Sequence, residues 1–551
     1  MTAAVDNGCV NNIMSEISSH KKQQECNGKE GKLLNGKINN HKNGYVKSTH
    51  IGNGDTKFGD EGGGGGIPKM DWSLYDTFPG SFEKCTLLTA VLTHVGLYIL
   101  MFLGFVNQLL FTPKVATEKN REGYAPLYDP FETFFSRYLY RRVRHCFNRP
   151  ICSAPGAEVT LKERCTDDRN WSFRFTGTEK RCINLGSYNY LGFAEGAGGS
   201  TQADVRRAAR RCGLALCSPR AELGSTPLHA ELERTTAAFL GVEAAIVVGM
   251  GFGTNTLGLP GLLGPGCLAL SDENNHASLI LGLRLARATV RVFRHNDLRH
   301  LEALARAAVA EGTWRKIVIV VEGVYSMEGS IVPLAGMVAL KRRLGLQLYL
   351  DEAHSVGALG AAGRGVCEHA RVPPQHVDVL MGTFTKSFGA AGGYIAGSAK
   401  LINWIRQHGH AHTYAHSMSP PVAQQILSAM RQLDTPAGRQ RVQALRENTH
   451  YFREQLRQLG VVTFGHRDSP VVPALVYTFS KMAATVERLA ERRVATVGVG
   501  FPATPLNKAR IRFCLSASHS RAQLDECVRA VRAAVREVGL AYSRTHTHTP
   551  H

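Results

Sequence analysis

From about residue 185 the chain alternates short apolar runs with longer amphipathic stretches, and this alternation restricts the folds open to it. VEAAIVVGM, KIVIVVEGVY, LQLYLDEAHS and VDVLMGTFTKS are rich in Val, Ile and Leu and are bounded by glycine or charge. Each has the length of a strand buried on both faces. Helix candidates such as LEALARAAVAEG lie between them. Strands alternating with helices predict an α/β fold with a mostly parallel sheet covered on both sides. From about 430 to 540 a long helical opening, RQRVQALRENTHYFREQLRQLG, is followed by shorter strand candidates including ARIRFCLSA. That order predicts a smaller α+β unit. The chain has 551 residues, too many for one ordinary domain, and it contains no internal repeat.

The first third reads differently. Residues 1 to 66 are rich in Asn, Gly, Lys and Ser, are nearly free of aromatics and end in the run Gly62 to Gly66. Such a tail cannot bury enough apolar surface to offset chain entropy, and disorder is expected. Its first 30 residues lack the apolar stretch of a cleavable signal peptide. Residues 67 to 112 then carry an uncharged apolar run, CTLLTAVLTHVGLYILMFLGFV, from Cys85 to Val106. As a helix it would measure about 33 Å, the thickness of a hydrocarbon core, so it reads as a membrane anchor, spanning or re-entrant. A buried helix or one lying on a surface is the alternative. Lys114, Lys119 and Arg121 follow the run, whereas Lys69 and Lys84 before it are mixed with Asp71, Asp76 and Glu83. That bias places the C-terminal bulk in the cytosol. Residues 113 to 185 read as a connecting segment.

Lys and Arg outnumber Asp and Glu by 65 to 45, a formal charge of +20. The surplus suits a membrane face or a polyphosphate such as coenzyme A. No zinc-finger spacing or aromatic-interleaved basic motif supports nucleic acid. Thirteen cysteines without a repeating spacing read as reduced thiols.

Strand ends are where α/β sheets bind ligands. One apolar run leads into Asp351, Glu352, Ala353 and His354, and the next into Gly382, Thr383, Phe384, Thr385, Lys386, Ser387, Phe388 and Gly389. Lys386 is a surface lysine or, if partly buried, a Schiff-base lysine with a depressed pKa. Asp351 is a helix cap or the partner of a buried cation such as a pyridinium nitrogen. GMGFGTN, Gly249 to Asn255, is a tight turn or a helix start whose N–H groups meet a phosphate.

Together DEAHSVGALG and GTFTKSFGAAGGY resemble the α-oxoamine synthases, fold-type-I pyridoxal-phosphate enzymes. SDENNHASLILG, VEGVYSMEGSIVPL and ARIRFCLSASH fit the same family in the same order, and the similarity runs from about Asn184 past His519. Within the family, TFTKSFG, NLGSYNYLGFA, NRPICSAPGA, SMSPP and GFPATPL look like the eukaryotic serine palmitoyltransferase catalytic subunits of the subunit 2 or 3 type.

The resemblance implies a pyridoxal 5′-phosphate-binding large domain over 186–430, a small domain over 431–540 and a disordered tail over 541–551. It implies that Lys386 carries the cofactor and acts as base at the amino acid Cα. Asp351 would pair with the pyridinium nitrogen, and His276 would stack on the ring. His354 and Ser326 would reach the phenolic oxygen. Thr383, with the backbone of Gly251 and Phe252, would hold the phosphate, and Arg512 would bind the substrate carboxylate. No metal is implied; the terminal THTHTPH reads as a disordered tail.

The implied reaction condenses L-serine with palmitoyl-CoA, releasing coenzyme A and carbon dioxide, to 3-ketodihydrosphingosine. It implies an endoplasmic-reticulum membrane enzyme with a cytosolic catalytic part, paired as a heterodimer with a lysine-less subunit 1 homologue. The alternative is a relative that joins glycine or alanine to a shorter acyl-CoA. One stretch departs from the family: in CGLALCSPR, Ala215 stands for a glycine and Pro219 for a threonine.

Overall fold

The computed structural model of the chain describes residues 70–72, 87–110, 123, 134–194, 199–505 and 507–543. The expected tail over 1–66 and residues 544–551 lie outside these residues; of the disordered tail expected over 541–551, Ala541 instead bridges Val461 and Ser543 is buried, its N–H bonded to the Gly460 carbonyl. Trp72–His551 forms one compact unit.

The apolar run forms helix α1, Leu87–Leu110, which runs on past Val106. Asn107 and Gln108 are polar but continue the helix, so the hydropathy edge and the helix edge differ. Leu88, Leu92, Tyr98 and Phe102 are exposed. One stripe of α1 touches the body of the protein. The Phe105 ring stacks on Phe134 at 4.0 Å, and a Cβ at Gly104 would stand 2.7 Å from the Phe134 ring, so only glycine permits the approach. Farther up, Asn507 Nδ2 donates to His94 Nε2, 3.0 Å away. Six side chains within α1 lie outside the described residues; among those described, no helix is long and apolar enough to cross a membrane.

The segment expected as a connector instead contains a hairpin. β1 (Glu158–Cys165) pairs antiparallel with β2 (Arg174–Asn184). The outer half of β2 is exposed, so charged residues fill it and mask the strand pattern.

Seven strands make the main sheet: β3 (Ala244–Val248), β4 (Cys267–Asp272), β5 (Thr289–Phe293), β6 (Lys316–Glu322), β7 (Gln347–Asp351), β8 (Val379–Thr383) and β9 (Gly393–Gly397). Their spatial order is β3-β9-β8-β7-β6-β4-β5. β9 runs antiparallel to both of its neighbours, and every other pairing is parallel. The four runs read as strands are β3, β6, β7 and β8. Helices α2 (Gly251–Leu262), α3 (Ala277–Leu285) and α4 (Leu298–Glu311) belong to the crossovers. Leu259, Leu279 and Leu283 pack with Ile246, Ala269, Val320, Tyr349, Met381 and Ile395 in one buried cluster. Burial on both faces is why these strands are continuous Val, Ile and Leu rather than alternating.

Toward the C-terminus, α5 (Pro436–Gln458) is followed by β10 (Val471–Tyr477), α6 (Phe479–Glu491), β11 (Val494–Ala495), β12 (Val497–Val499), β13 (Ala509–Cys514) and α7 (Arg521–Val538). β10, β13 and β12 form an antiparallel sheet, while β11 joins β2 in parallel. This is the helix-then-strand order expected of the smaller α+β unit. In the departing stretch, Arg220 is buried against Glu233 at 3.0 Å, which ties down the residues beside Pro219.

Candidate active site

The parallel strands end on one edge of the sheet, and their last residues set out the site. Asp351 ends β7 and is buried. Its Oδ1 accepts the Ala353 N–H and its Oδ2 accepts Asn255 Nδ2, both at 2.8 Å. Asn255 is itself fixed, because Tyr349 Oη donates to its Oδ1 at 2.8 Å and its Nδ2 reaches Ser278 Oγ at 2.9 Å. The carboxylate is therefore held at one orientation while keeping lone pairs for a ligand. In the adjacent strand Glu322 lies in register with Asp351 and accepts the His276 N–H at 2.5 Å. Burial pushes the Glu322 carboxyl well above its usual range, and the charge of Asp351 beside it adds to the effect.

Lys386 follows β8. Its Nζ lies 5.9 Å from the centre of the Tyr188 ring. The residue is half-buried, and burial lowers its pKa from the lysine value. Asp351 and Glu322 oppose that shift, while Arg512 adds to it. A desolvated amine with a cation close by is easier to deprotonate, as an amine that attacks carbonyls requires.

Arg512, on β13, is the cationic corner. Its guanidinium lies 4.7 Å from the centre of the same Tyr188 ring, and Nη1 meets the Met327 sulfur at 3.6 Å. Its Nε is buried and has no hydrogen-bond partner. A buried guanidinium donor left unmet marks the place of an acceptor that arrives with a ligand.

His354 is buried, its Nδ1 2.8 Å from Tyr190 Oη and its ring edge-on to Tyr188. Burial drives its pKa well below the histidine value, with Lys386 and Arg512 adding to the shift, so it is neutral. His276 caps α3, its Nδ1 2.7 Å from Ser278 Oγ, and meets Phe252 edge to face at 5.9 Å. His276 is exposed as a residue, yet desolvation of its ring by the protein around it lowers its pKa. Ser326 lies beside Tyr188.

The opposite corner suits a phosphate. α2 starts at Gly251 with no side-chain cap from Met250, so its first-turn N–H groups are left for a ligand. Thr385 Oγ1 lies 3.1 Å from Thr383 Oγ1. A Cβ at Gly251 would press on both threonine methyls, at 3.2 and 3.3 Å, closing this cradle.

The structure thus brings Lys386, Asp351, His276, His354, Ser326, Thr383, Gly251, Phe252 and Arg512 to one sheet edge. It adds Tyr188, Tyr190, Asn255 and Glu322, which reading the sequence did not single out. Glu322 carried the same signal as Asp351, a carboxylate ending an apolar strand. The two tyrosines carried none beyond lying in the NLGSYNYLGFA stretch.

An anchored carboxylate for a pyridinium nitrogen, a desolvated lysine, an uncapped helix start and an unmet guanidinium fit pyridoxal phosphate and an amino-acid carboxylate. The fold and this site define a pyridoxal-phosphate enzyme of fold type I. Residues 180–531 match the family aminotransferase class I and II. Serine palmitoyltransferase 3 of Homo sapiens is 46% identical over 535 residues, which is 93% of this chain and 96% of that one. Serine palmitoyltransferase 2 of Caenorhabditis elegans is 44% identical over 469 residues, 82% of this chain and 84% of that one. Among solved structures, a high-resolution SPT with its pyridoxal-phosphate internal aldimine superposes with a TM-score of 0.65 at 26% identity, covering 75% of this chain and all of that one. The chain belongs to the serine palmitoyltransferase family.

Proposed function

We infer that this chain catalyses the decarboxylative condensation of L-serine with palmitoyl-CoA or a similar long acyl-CoA to give 3-ketodihydrosphingosine. The observation that carries the reading is the meeting of Lys386 and Arg512 at the Tyr188 ring, with the Asp351 carboxylate acting on Lys386, in a chain 46% identical to a serine palmitoyltransferase over nearly its whole length.

Bound pyridoxal phosphate supplies an electron sink for charge developing at the amino acid Cα. Asp351, held by Asn255 and the Ala353 N–H, keeps the ring nitrogen protonated. Arg512 grips the serine carboxylate through Nε and its planar fork, which the Tyr188 ring beside it helps to hold in place. Lys386 accepts the Cα proton at Nζ, a role its lowered pKa favours. His276 covers the ring face and is placed to donate toward the acyl carbonyl. His354, neutral and bonded to Tyr190, holds the phenolic edge without adding charge.

The test is an assay of the purified chain, with and without a candidate partner, offering serine, glycine and alanine against acyl-CoAs from acetyl to stearoyl. A long-chain base from serine and palmitoyl-CoA supports the reading. Turnover only with glycine or alanine and a short acyl-CoA replaces it with the other branch of the family.

The same proposal extends to location and partner. The exposed apolar flank of α1 supports attachment to a membrane, where the acyl substrate and the product both partition. The charges after the apolar run support a cytosolic catalytic part, and the family resemblance supports the endoplasmic reticulum. That resemblance also supports pairing with a lysine-less homologous subunit, across an interface above about 2,000 Å². Carbonate extraction and protease protection of sealed vesicles test the first two points. Full activity from the lone chain as a homodimer would overturn the pairing.

A further inference from the structure

Four side chains from distant parts of the chain meet at a place the condensation does not use. His369 closes the short helix Val366–His369, His450 lies on α5, and His466 and Asp468 lie in the loop entering β10. Asp468 is divided between two tasks. Its Oδ1 accepts His450 Nε2 at 2.6 Å. Its Oδ2 faces Nδ1 of His369 at 3.9 Å and Nδ1 of His466 at 3.8 Å. Both distances are too long for hydrogen bonds. The rings of His369 and His466 stand at 89° to one another, 5.3 Å apart.

One ligand atom from each of His369, His466 and Asp468 falls within 4.8 Å of the others. An ion centred among atoms so spaced lies about 2.5 Å from each, a few tenths beyond the bonds zinc makes to nitrogen and oxygen. The groups are in the right protonation states. Burial lowers the pKa of His369 and of His466, so both rings are neutral near pH 7. Asp468 is held ionised by the His450 hydrogen bond despite its burial. Asp468 N–H donates to His466 Nδ1 at 3.1 Å, a bond the ion would take over.

The neighbourhood is cationic, and this selects the ion. Arg446 Nε lies 3.4 Å from Asp468 Oδ1 but is mostly exposed and free to turn outward. Arg467 reaches His450 Nδ1 at 3.4 Å, and Arg453 is tied to the Phe464 and Val471 carbonyls. Calcium or magnesium would depend on a single carboxylate opposed by three arginines. An ion of the zinc type draws its binding from imidazole nitrogen and loses less.

We propose that His369, His466 and Asp468 bind one divalent transition-metal ion, zinc by its donor set, with His450 holding the carboxylate from behind. The ion would clamp helix Val366–His369 to the loop that enters β10. It plays no part in the condensation.

The test uses the full-length holoprotein with His546, His548 and His551 changed to alanine, so that the tail cannot bind metal. After exposure to zinc and dialysis, elemental analysis should find about one zinc per chain. Cobalt in its place should give the visible absorption of an imidazole-ligated site. His369→Ala and Asp468→Asn should lose both signals while cofactor content stays the same. His450→Ala should weaken zinc binding about 10- to 100-fold, as expected when the group behind a ligand is removed. Should His369→Ala fail to fold, His369→Gln supplies the comparison. The proposal is overturned if the protein retains no zinc, or if the His369 and Asp468 variants retain as much as the unsubstituted chain.

Discussion

Replacing Arg512 separates binding from stability, because binding should fall steeply while stability stays nearly unchanged. The guanidinium is buried, its Nε is unmet, and among the described residues its polar contacts are weak ones to the sulfurs of Met327 and Cys514. In Arg512→Ala two charge-assisted donors to the serine carboxylate disappear, each worth about 1.5–3 kcal/mol. The sum lowers kcat/KM for L-serine by about two to four orders of magnitude. Arg512→Lys keeps the charge but loses the fork and the Tyr188 stack, so about one to two orders is expected. Folding should respond differently. Breaking a buried ion pair costs about 3–5 kcal/mol, but here the protein alone offers no partner to strand. The lost Tyr188 contact, about 1–2 kcal/mol, is offset by removing a desolvated charge. Thermal unfolding of Arg512→Ala should thus stay within about 1 kcal/mol of the unsubstituted protein. Titration of L-serine followed by cofactor absorbance gives the first quantity, and calorimetry the second. Serine affinity within threefold of the parent, or a loss of stability typical of a broken ion pair, would refute the assignment.

Lys386→Ala should abolish turnover with circular dichroism unchanged, and borohydride reduction should place the cofactor on Lys386; label on another lysine would reject the assignment. Because burial lowers the Lys386 pKa, capture of pyridoxal phosphate by the apoprotein should rise with pH and level off below the ordinary lysine value of 10.5. A plateau only above that value would show the amine to be unperturbed. Asn255→Ala frees the Asp351 carboxylate and should lower kcat by about 10- to 100-fold, more than KM changes, in keeping with a lost group behind a reactive one. Burial holds His519 neutral, its pKa lowered to about 4. Above pH 6.5 neither folded nor unfolded chain protonates it. As pH falls below 6.5 only the unfolded chain takes up the proton, so about 3 kcal/mol of stability is lost by pH 4. Urea midpoints in His519→Gln should show a shallower acid limb.

Much of the site was legible because the strands that carry it are buried on both faces. The runs ending in Asp351 and Lys386 are apolar without a break, so their strand character and their polar ends stood out. What stayed hidden depends on packing across long separations. Tyr188 comes from a loop far from Lys386 and Arg512, yet its ring lies beside both. The position of β9 between β3 and β8 is a matter of spatial order, on which one-dimensional periodicity is silent. The β1–β2 hairpin was missed because half of β2 faces water. The α1 boundary moved because hydropathy marks where lipid-like residues stop, whereas backbone hydrogen bonding runs on through Asn107 and Gln108.

Two of the contacts that α1 makes with the body have a consequence for how a bilayer could receive it. His94 and Phe105 are eleven positions apart, about 16 Å along a helix axis, and both touch the body. A rod fastened at two such points lies along its support as a keel lies along a hull. It cannot stand upright through about 30 Å of hydrocarbon without drawing the flank that bears Asn507 in after it, or parting at both fastenings. Lipid would then meet the protein sideways, on the face carrying Leu88, Leu92 and Phe102. The loop between β12 and β13 would lie at the waterline, one strand away from the guanidinium of Arg512.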